Sequence, residues 1–172
     1  EKQIGISRLE QVRDIFLFCC LTGLAYVDVA SLSMENIVEG KRGRQWLRKA
    51  RNKTNNMCNI PLLRPALRIL EKYAEYRAAT GRLLPVPSNQ KMNAYLKELA
   101  TLCGITKNLT THCARHTFAT TVTLANGASL ENVSKMLGHS SVRMTQHYAK
   151  ILNSSIERDM DKIESELIGE DE

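Results

Sequence analysis

From Leu9 onward, apolar side chains recur at intervals of three and four and then run unbroken from Ile15 to Leu21. That is the pattern of a helix buried on most of its sides, and Thr22-Gly23 ends it, because glycine accepts the left-handed backbone that closes helices. A second, shorter period predicts a helix from about Tyr26 to Leu32. The period then changes: the short runs Asn36 to Val38, Gln45 to Lys49 and Met57 to Pro61 alternate with Gly- and Asn-rich turns, which predicts a three-stranded antiparallel sheet over about residues 36–62. Helical spacing returns in a segment bracketed by Pro65 and Thr80-Gly81, and again between Ser88, a natural N-cap, and Gly104. Thr110 or Thr111 caps the next helix, which ends at Asn126-Gly127; Ser129 opens a short one closed by Gly138, and Ser140 opens another that runs through Tyr148. From Ser154 on, Ile156, Met160, Ile163 and Leu167 form one apolar stripe on an otherwise acidic helix. The expected product is a mainly α domain with one small antiparallel sheet over residues 1–153, followed by an acidic tail helix over 154–172.

Composition narrows the class. A chain of 172 residues with 43% apolar and 24% charged side chains is one ordinary soluble domain, which excludes disorder and fibres. The longest apolar run, Ile15 to Val27, is too short to span a bilayer, and the first residues lack the pattern of a signal peptide, so a cytoplasmic bacterial protein without a membrane partner is expected. Five cysteines without a CxxC pair read as reduced, structural thiols. The net charge of +6 is unevenly distributed: residues 154–172 hold eight acids and two bases, leaving 22 basic and 10 acidic side chains, or +12, on the body. Such a body, in a chain of pI about 9.2, suits a nucleic-acid binder, although a basic surface that keeps the protein soluble looks the same.

Three groups of residues could carry chemistry. On a helix starting near His112, positions 112, 115 and 116 share a face, so His112, Arg115 and His116 form a cationic patch in the first turn. The unpaired N–H groups there already favour an anion, and a guanidinium fork matches phosphate oxygens. Two other readings stand beside this one: zinc held by His112, Cys113 and His116, and a structural role for His116. The second group is "LGHSSVRMTQHYAKI", in which His139 sits at a helix corner and Tyr148 near the end of the next helix. A phenol can attack phosphorus, but with an ordinary pKa of about 10 it needs a positive setting; as a packing residue it needs nothing. The segment from Ser129 to Tyr148 read alone also resembles a helix-turn-helix DNA reader. The third group is the sheet, where Lys41, Arg42, Arg44, Arg48, Lys49, Arg51 and Lys53 place seven bases in thirteen residues, a ribbon suited to a DNA backbone. Lys53, in the hairpin turn "NKTNN", could also reach a scissile phosphate.

The order of these motifs, a hairpin lysine in "RNKTNNMCNIPL", then "HCARHTFAT", "LGHSS" and "HYAKI", resembles the catalytic domain of the tyrosine recombinases, or phage-type integrases. The resemblance covers about residues 9 to 165, and segments such as "FLFCCLTGLAYVDVASL" are similar to integrases of conjugative or mobilisable elements from Bacteroides-type bacteria. It implies the DNA breaking-rejoining fold and phosphoryl transfer on double-stranded DNA without metal or cofactor. Tyr148 would be the nucleophile that forms a 3′-phosphotyrosyl link, Arg115 the neutraliser of the non-bridging oxygens, and His112 the proton-handling or phosphate-binding histidine. His139 would be a second phosphate donor, Lys53 the general acid for the departing 5′ oxygen, and His116 a brace.

The chain departs from the family where a first catalytic arginine normally follows "TGL": here Ala25 stands. Arg13, among apolar neighbours on the preceding helix, is the expected substitute, with an ordinary salt bridge to Asp14 as the duller explanation. The resemblance also implies a homo-oligomer on DNA, a tetrameric synapse joined through the stripe of Ile156, Met160, Ile163 and Leu167, which could equally fold back on its own domain. It further implies a core-binding domain ahead of the catalytic one, so these residues are expected to be a piece of a longer protein with weak DNA affinity. A site-specific recombinase is the leading activity. A type IB topoisomerase-like nicking-sealing enzyme and a non-catalytic DNA-binding module of the same fold are the alternatives.

Overall fold

Helix α1 (Ser7–Thr22) is the axis on which the other elements are laid, since its Leu9, Val12, Ile15, Phe18 and Cys19 are all buried and α3, α5 and α6 pack against it. The computed structural model describes residues 4–149, 160, 161 and 163–165. After α1 come α2 (Tyr26–Ala30), strands β1 (Ile37–Glu39), β2 (Gln45–Ala50) and β3 (Met57–Pro61), then α3 (Arg64–Lys72), α4 (Ala74–Thr80), α5 (Asn89–Leu102), α6 (Thr111–Thr117), α7 (Leu130–Met136) and α8 (Arg143–Ala149). The mainly α architecture with a three-stranded antiparallel sheet is therefore the one that the hydrophobic pattern predicts, with strand order β1-β2-β3.

Register follows from burial. Leu47 of β2 pairs with Ile37 on one side and Ile60 on the other, and both Leu47 and Ile60 face the core, while Arg48, the next residue of β2, faces outward. Shifting a strand by one residue would exchange these faces, so the apolar set holds the register.

Helix boundaries differ from the expected ones at two places, each for a local reason. The helix expected from Pro65 to Thr80 is broken at Tyr73 (φ −104°, ψ 25°). There the Tyr73 hydroxyl and Lys72 Nζ donate to Asp14 on α1 (2.9 and 2.6 Å), and Arg77 Nη1 donates to the Leu70 carbonyl that an unbroken helix would use. The helix capped at Thr110, whose Oγ1 accepts from Cys113 N (3.3 Å), is regular only to Thr117. It then widens into a π-helical turn at Phe118–Thr123 and tightens into a 3₁₀ turn at Leu124–Asn126 before Gly127 (φ 81°). Thr117, Thr120 and Thr123 all return hydroxyls to carbonyls four residues back (2.8–3.0 Å), a competition that loosens helical geometry. Among the described residues no helix is long and apolar enough to cross a membrane.

Candidate active site

Arg115 is buried at 5% exposure, yet among the described residues no carboxylate pairs with it. Its Nη1 donates to the Gly23 carbonyl (2.6 Å) and its Nη2 to the Leu137 carbonyl (2.7 Å), so the C-terminus of α1 and the end of α7 grip one guanidinium. Gly23 (φ 68°) permits this: a Cβ there would lie 2.8 Å from Leu137 Cδ2 and collide with the Phe118 ring. Burial lowers the pKa of Arg115, the charge of Arg51 lowers it further, and the Tyr148 phenol beside it acts in the opposite sense. A guanidinium stays protonated all the same, so the site keeps a buried positive charge.

His139 completes this group. Arg115 Nη2 lies 3.1 Å from His139 Nε2, and His139 Nδ1 lies 2.8 Å from Thr145 Oγ1. Arginine can only donate, so Nε2 accepts and the proton of the neutral ring resides on Nδ1, facing the buried Thr145. Burial first, then Arg115 and Arg51, push the His139 pKa down to about 4. The expected donation from His139 to a phosphate therefore requires the other tautomer, with Thr145 donating to Nδ1.

Tyr148, on α8, is buried to 7% exposure beside these residues. Its ring lies parallel to His139 (centroids 6.3 Å apart, planes 5° apart) and edge-on to His116 (4.8 Å, 72°). His116 in turn meets His112 edge-on at 4.9 Å, and His147 lies 6.4 Å away. Burial lowers the His116 pKa, and His112, His147 and Lys107 lower it further. His116, expected to brace His112 and Arg115, makes ring contacts with His112 and Tyr148, while His112 stays exposed at the rim. Among the described residues, no group of three His, Cys, Asp or Glu side chains is placed to hold a metal ion, and the Cys113 thiol donates to the Asn108 carbonyl (3.4 Å).

Arg13 and Arg51 fall elsewhere than expected, and two residues, Asp28 and Thr145, arrive unannounced. Arg13 lies ten residues before Gly23 on the same helix, about 15 Å along its axis at 1.5 Å per residue, and its Nη2 pairs with Asp14 Oδ1 (2.9 Å). Although burial alone would raise it, the Asp14 pKa is lowered by hydrogen bonds from Lys72, Arg13 and Tyr73, so Arg13 serves an ion-pair cluster between α1 and α3 and does not replace the missing arginine. Lys53 lies exposed in the β2–β3 turn. Along the basic ribbon Lys41, Arg42, Arg44 and Arg48 are exposed, and Lys49 Nζ reaches the Ser31 carbonyl (3.4 Å). Arg51, expected with them on the DNA backbone, instead turns inward to 13% side-chain exposure, with Nε 3.8 Å from Oδ2 of the buried Asp28. Asp28 and Thr145 were not singled out from the sequence. A carboxylate in the apolar stretch "AYVDVA" is the signal that could have found Asp28, since a buried acid needs a partner.

The profile of the Phage integrase family matches residues 7–154. The chain belongs to this family. Among curated relatives, the tyrosine recombinase XerD of Corynebacterium glutamicum is 32% identical over 136 residues, covering 78% of this chain and 43% of the relative. The chain spans less than half the length of the first curated relatives it matches. Its fold is shared with the crystal structure of XerA recombinase (TM-score 0.67, 22% identity, 95% of this chain and 65% of that one). It is shared as well with XerH site-specific recombinase bound to palindromic difH substrate in a post-cleavage complex (TM-score 0.70, 18% identity, 94% and 48%). The fold is accordingly that of the tyrosine recombinase catalytic domains.

Proposed function

We propose that the chain is the catalytic part of a site-specific DNA recombinase, an integrase that breaks and rejoins duplex DNA to insert and excise a mobile element. The Tyr148 phenolic oxygen attacks the scissile phosphorus, the P–O5′ bond breaks as the P–O–Tyr bond forms, and the 5′ oxygen leaves as a hydroxyl. Attack by another 5′-hydroxyl reverses the sequence, so phosphodiester bonds are conserved and no nucleotide need be hydrolysed. Arg115 neutralises the non-bridging oxygens, His112 takes the phenol proton or binds phosphate, and Lys53 protonates the leaving 5′ oxygen. His139 contributes a second phosphate contact once its tautomer changes, and His116 braces the nucleophile. Such a reaction leaves the protein chiefly positioning and charge stabilisation.

The observation that carries this reading is the convergence of Tyr148, Arg115 and His139 from three elements, with a buried guanidinium held by two main-chain carbonyls and a neutral imidazole beside the Tyr148 phenol. The exposed bases of β2 and its preceding turn supply the DNA backbone contacts. Family membership supports the reading; on it, the mobile element is of the Bacteroides-type conjugative or mobilisable kind, and the reaction belongs in the bacterial cytoplasm. On DNA the working form is a tetrameric synapse tied by the tail stripe. Met160 and Ile163 of that stripe are 58% and 48% exposed, and Ile156 and Leu167 lie outside the described residues.

A nicked suicide substrate, which loses its short 5′ fragment after cleavage, tests the assignment. Incubation should trap a covalent protein–DNA adduct that Tyr148→Phe abolishes, and an undiminished adduct from the Phe variant overturns the nucleophile. Strand transfer between two labelled duplexes separates recombination from nicking and resealing of one duplex.

A further inference from the structure

Arg51 and Asp28 form a loosely matched pair in the interior. Arg51 follows β2, and its backbone is closed into the hairpin turn: its N–H donates to the Asn56 carbonyl (2.9 Å) and its carbonyl accepts from Asn55 N (2.8 Å). From this fixed point the side chain runs inward over Gly138. A Cβ on that glycine would stand 2.9 Å from Arg51 Cδ and 2.8 Å from Cys58 Sγ, so only the bare backbone leaves room for the stem. At its end Nε is buried without a hydrogen-bond partner among the described residues and lies 3.8 Å from Asp28 Oδ2. Asp28, 1% exposed, gives its other oxygen to Asn52 N (2.9 Å), and Asn52 Nδ2 donates to the Val27 carbonyl (3.2 Å). The hairpin is thus clamped to the start of α2, five residues beyond the Gly23 carbonyl that holds Arg115.

The two guanidiniums act on each other and on the same neighbours. Arg51 is a source of positive charge for Arg115, His139 and Cys58, whose thiol burial pushes up to about 11 while Arg115 and Arg51 draw it back. Like charges gathered in a partly buried site repel, and one carboxylate 3.8 Å from Arg51 does not offset two arginines. An anion does. Resting on the phosphoryl-transfer reading above, we propose that Arg51 is a second phosphate-binding arginine of this site, acting beside Arg115 on the non-bridging oxygens of the scissile group. Asp28 serves as its positioning residue. The cation that position 25 lacks in this chain is then delivered from the β2–β3 hairpin, with Lys53 two residues further on.

The test uses the full-length protein, a nicked substrate with an ordinary scissile phosphodiester, and a matched one with a neutral methylphosphonate there. Single-turnover adduct formation at saturating DNA should fall about 100-fold or more in Arg51→Ala. Arg51→Lys should recover little of it, since an ammonium lacks the fork. On the methylphosphonate, which has lost the charge to be neutralised, Arg51→Ala should come within about threefold of the parent by the same electrostatic reasoning. Thermal melting of each variant identifies loss of fold. A diester rate within threefold of the parent overturns the proposal, as does an equal loss on both substrates, which marks a purely structural role. A parent protein that forms no Tyr148-dependent adduct removes the underlying reading and this proposal together. A normal parent with an unaffected Arg51→Ala removes this proposal alone.

Discussion

His139 illustrates how a single ring reports on the charge around it. Because Arg115 donates to Nε2, the ring is neutral and carries its proton on Nδ1 toward Thr145. With its pKa depressed to about 4, the folded protein stays unprotonated at this ring while an unfolded chain binds a proton below about 6.5. The unfolded state holds the extra proton between those values, so the contribution of His139 to stability is complete above about pH 6.5 and is lost as pH falls toward 4. Proton-coupled nitrogen NMR should show the Nδ1–H tautomer at pH 7 with a midpoint near pH 4; a midpoint near 6.5 refutes the contact with Arg115. The presence of His112, Arg115, His139 and Tyr148 is plain from the order of motifs. The direction of each hydrogen bond is not, because it depends on which carbonyls surround the guanidinium.

At the level of elements, the site hangs on how helices end. Gly23 closes α1 in the left-handed conformation and presents to Arg115 the carbonyl that an extended α1 would spend on its own next turn. Gly23→Ala combines left-handed strain with a Cβ pressed on Leu137 and Phe118, and should cost about 3 kcal/mol of stability, read by denaturant unfolding. Adduct formation should fall with it as Arg115 loses its seat. A variant as stable as the parent denies the packing described for this corner. The ends of α1 and the strand positions are legible in the sequence because glycine and alternating apolar residues act locally. The break at Tyr73 and the π-helical turn after Thr117 are not, since both answer to partners: Asp14 on another helix, and threonine hydroxyls competing for carbonyls.

Across the whole molecule, charge sorts into two kinds. Arg42, Arg44 and Arg48 lie in solvent, where the proposed function has them meet DNA phosphates, whereas Arg51 and Arg115 are withdrawn into the interior. Arg48→Ala should weaken DNA binding similarly for any sequence and reduce the slope of log K against log salt by about 1, as measured by fluorescence anisotropy across a salt series. It should leave the single-turnover rate at saturating DNA near that of the parent. An unchanged salt slope removes Arg48 from the phosphate contacts.

The sequence by itself determined the fold class, the place of the strands and the candidate site residues, because periodicity, caps and motif order are written in neighbouring positions. Only the tertiary structure decided which arginines stand at the site. Nothing in their immediate neighbours separates Arg13 from Arg51, each preceded by an apolar residue (Val12, Ala50) and followed by a polar one (Asp14, Asn52). Arg13 found Asp14 beside it and Lys72 across the helix pair, while Arg51 was carried by a hairpin over Gly138 toward Asp28 and Arg115. A buried charge takes its meaning from the counter-charges packed around it, and that packing brings together residues far apart in the chain.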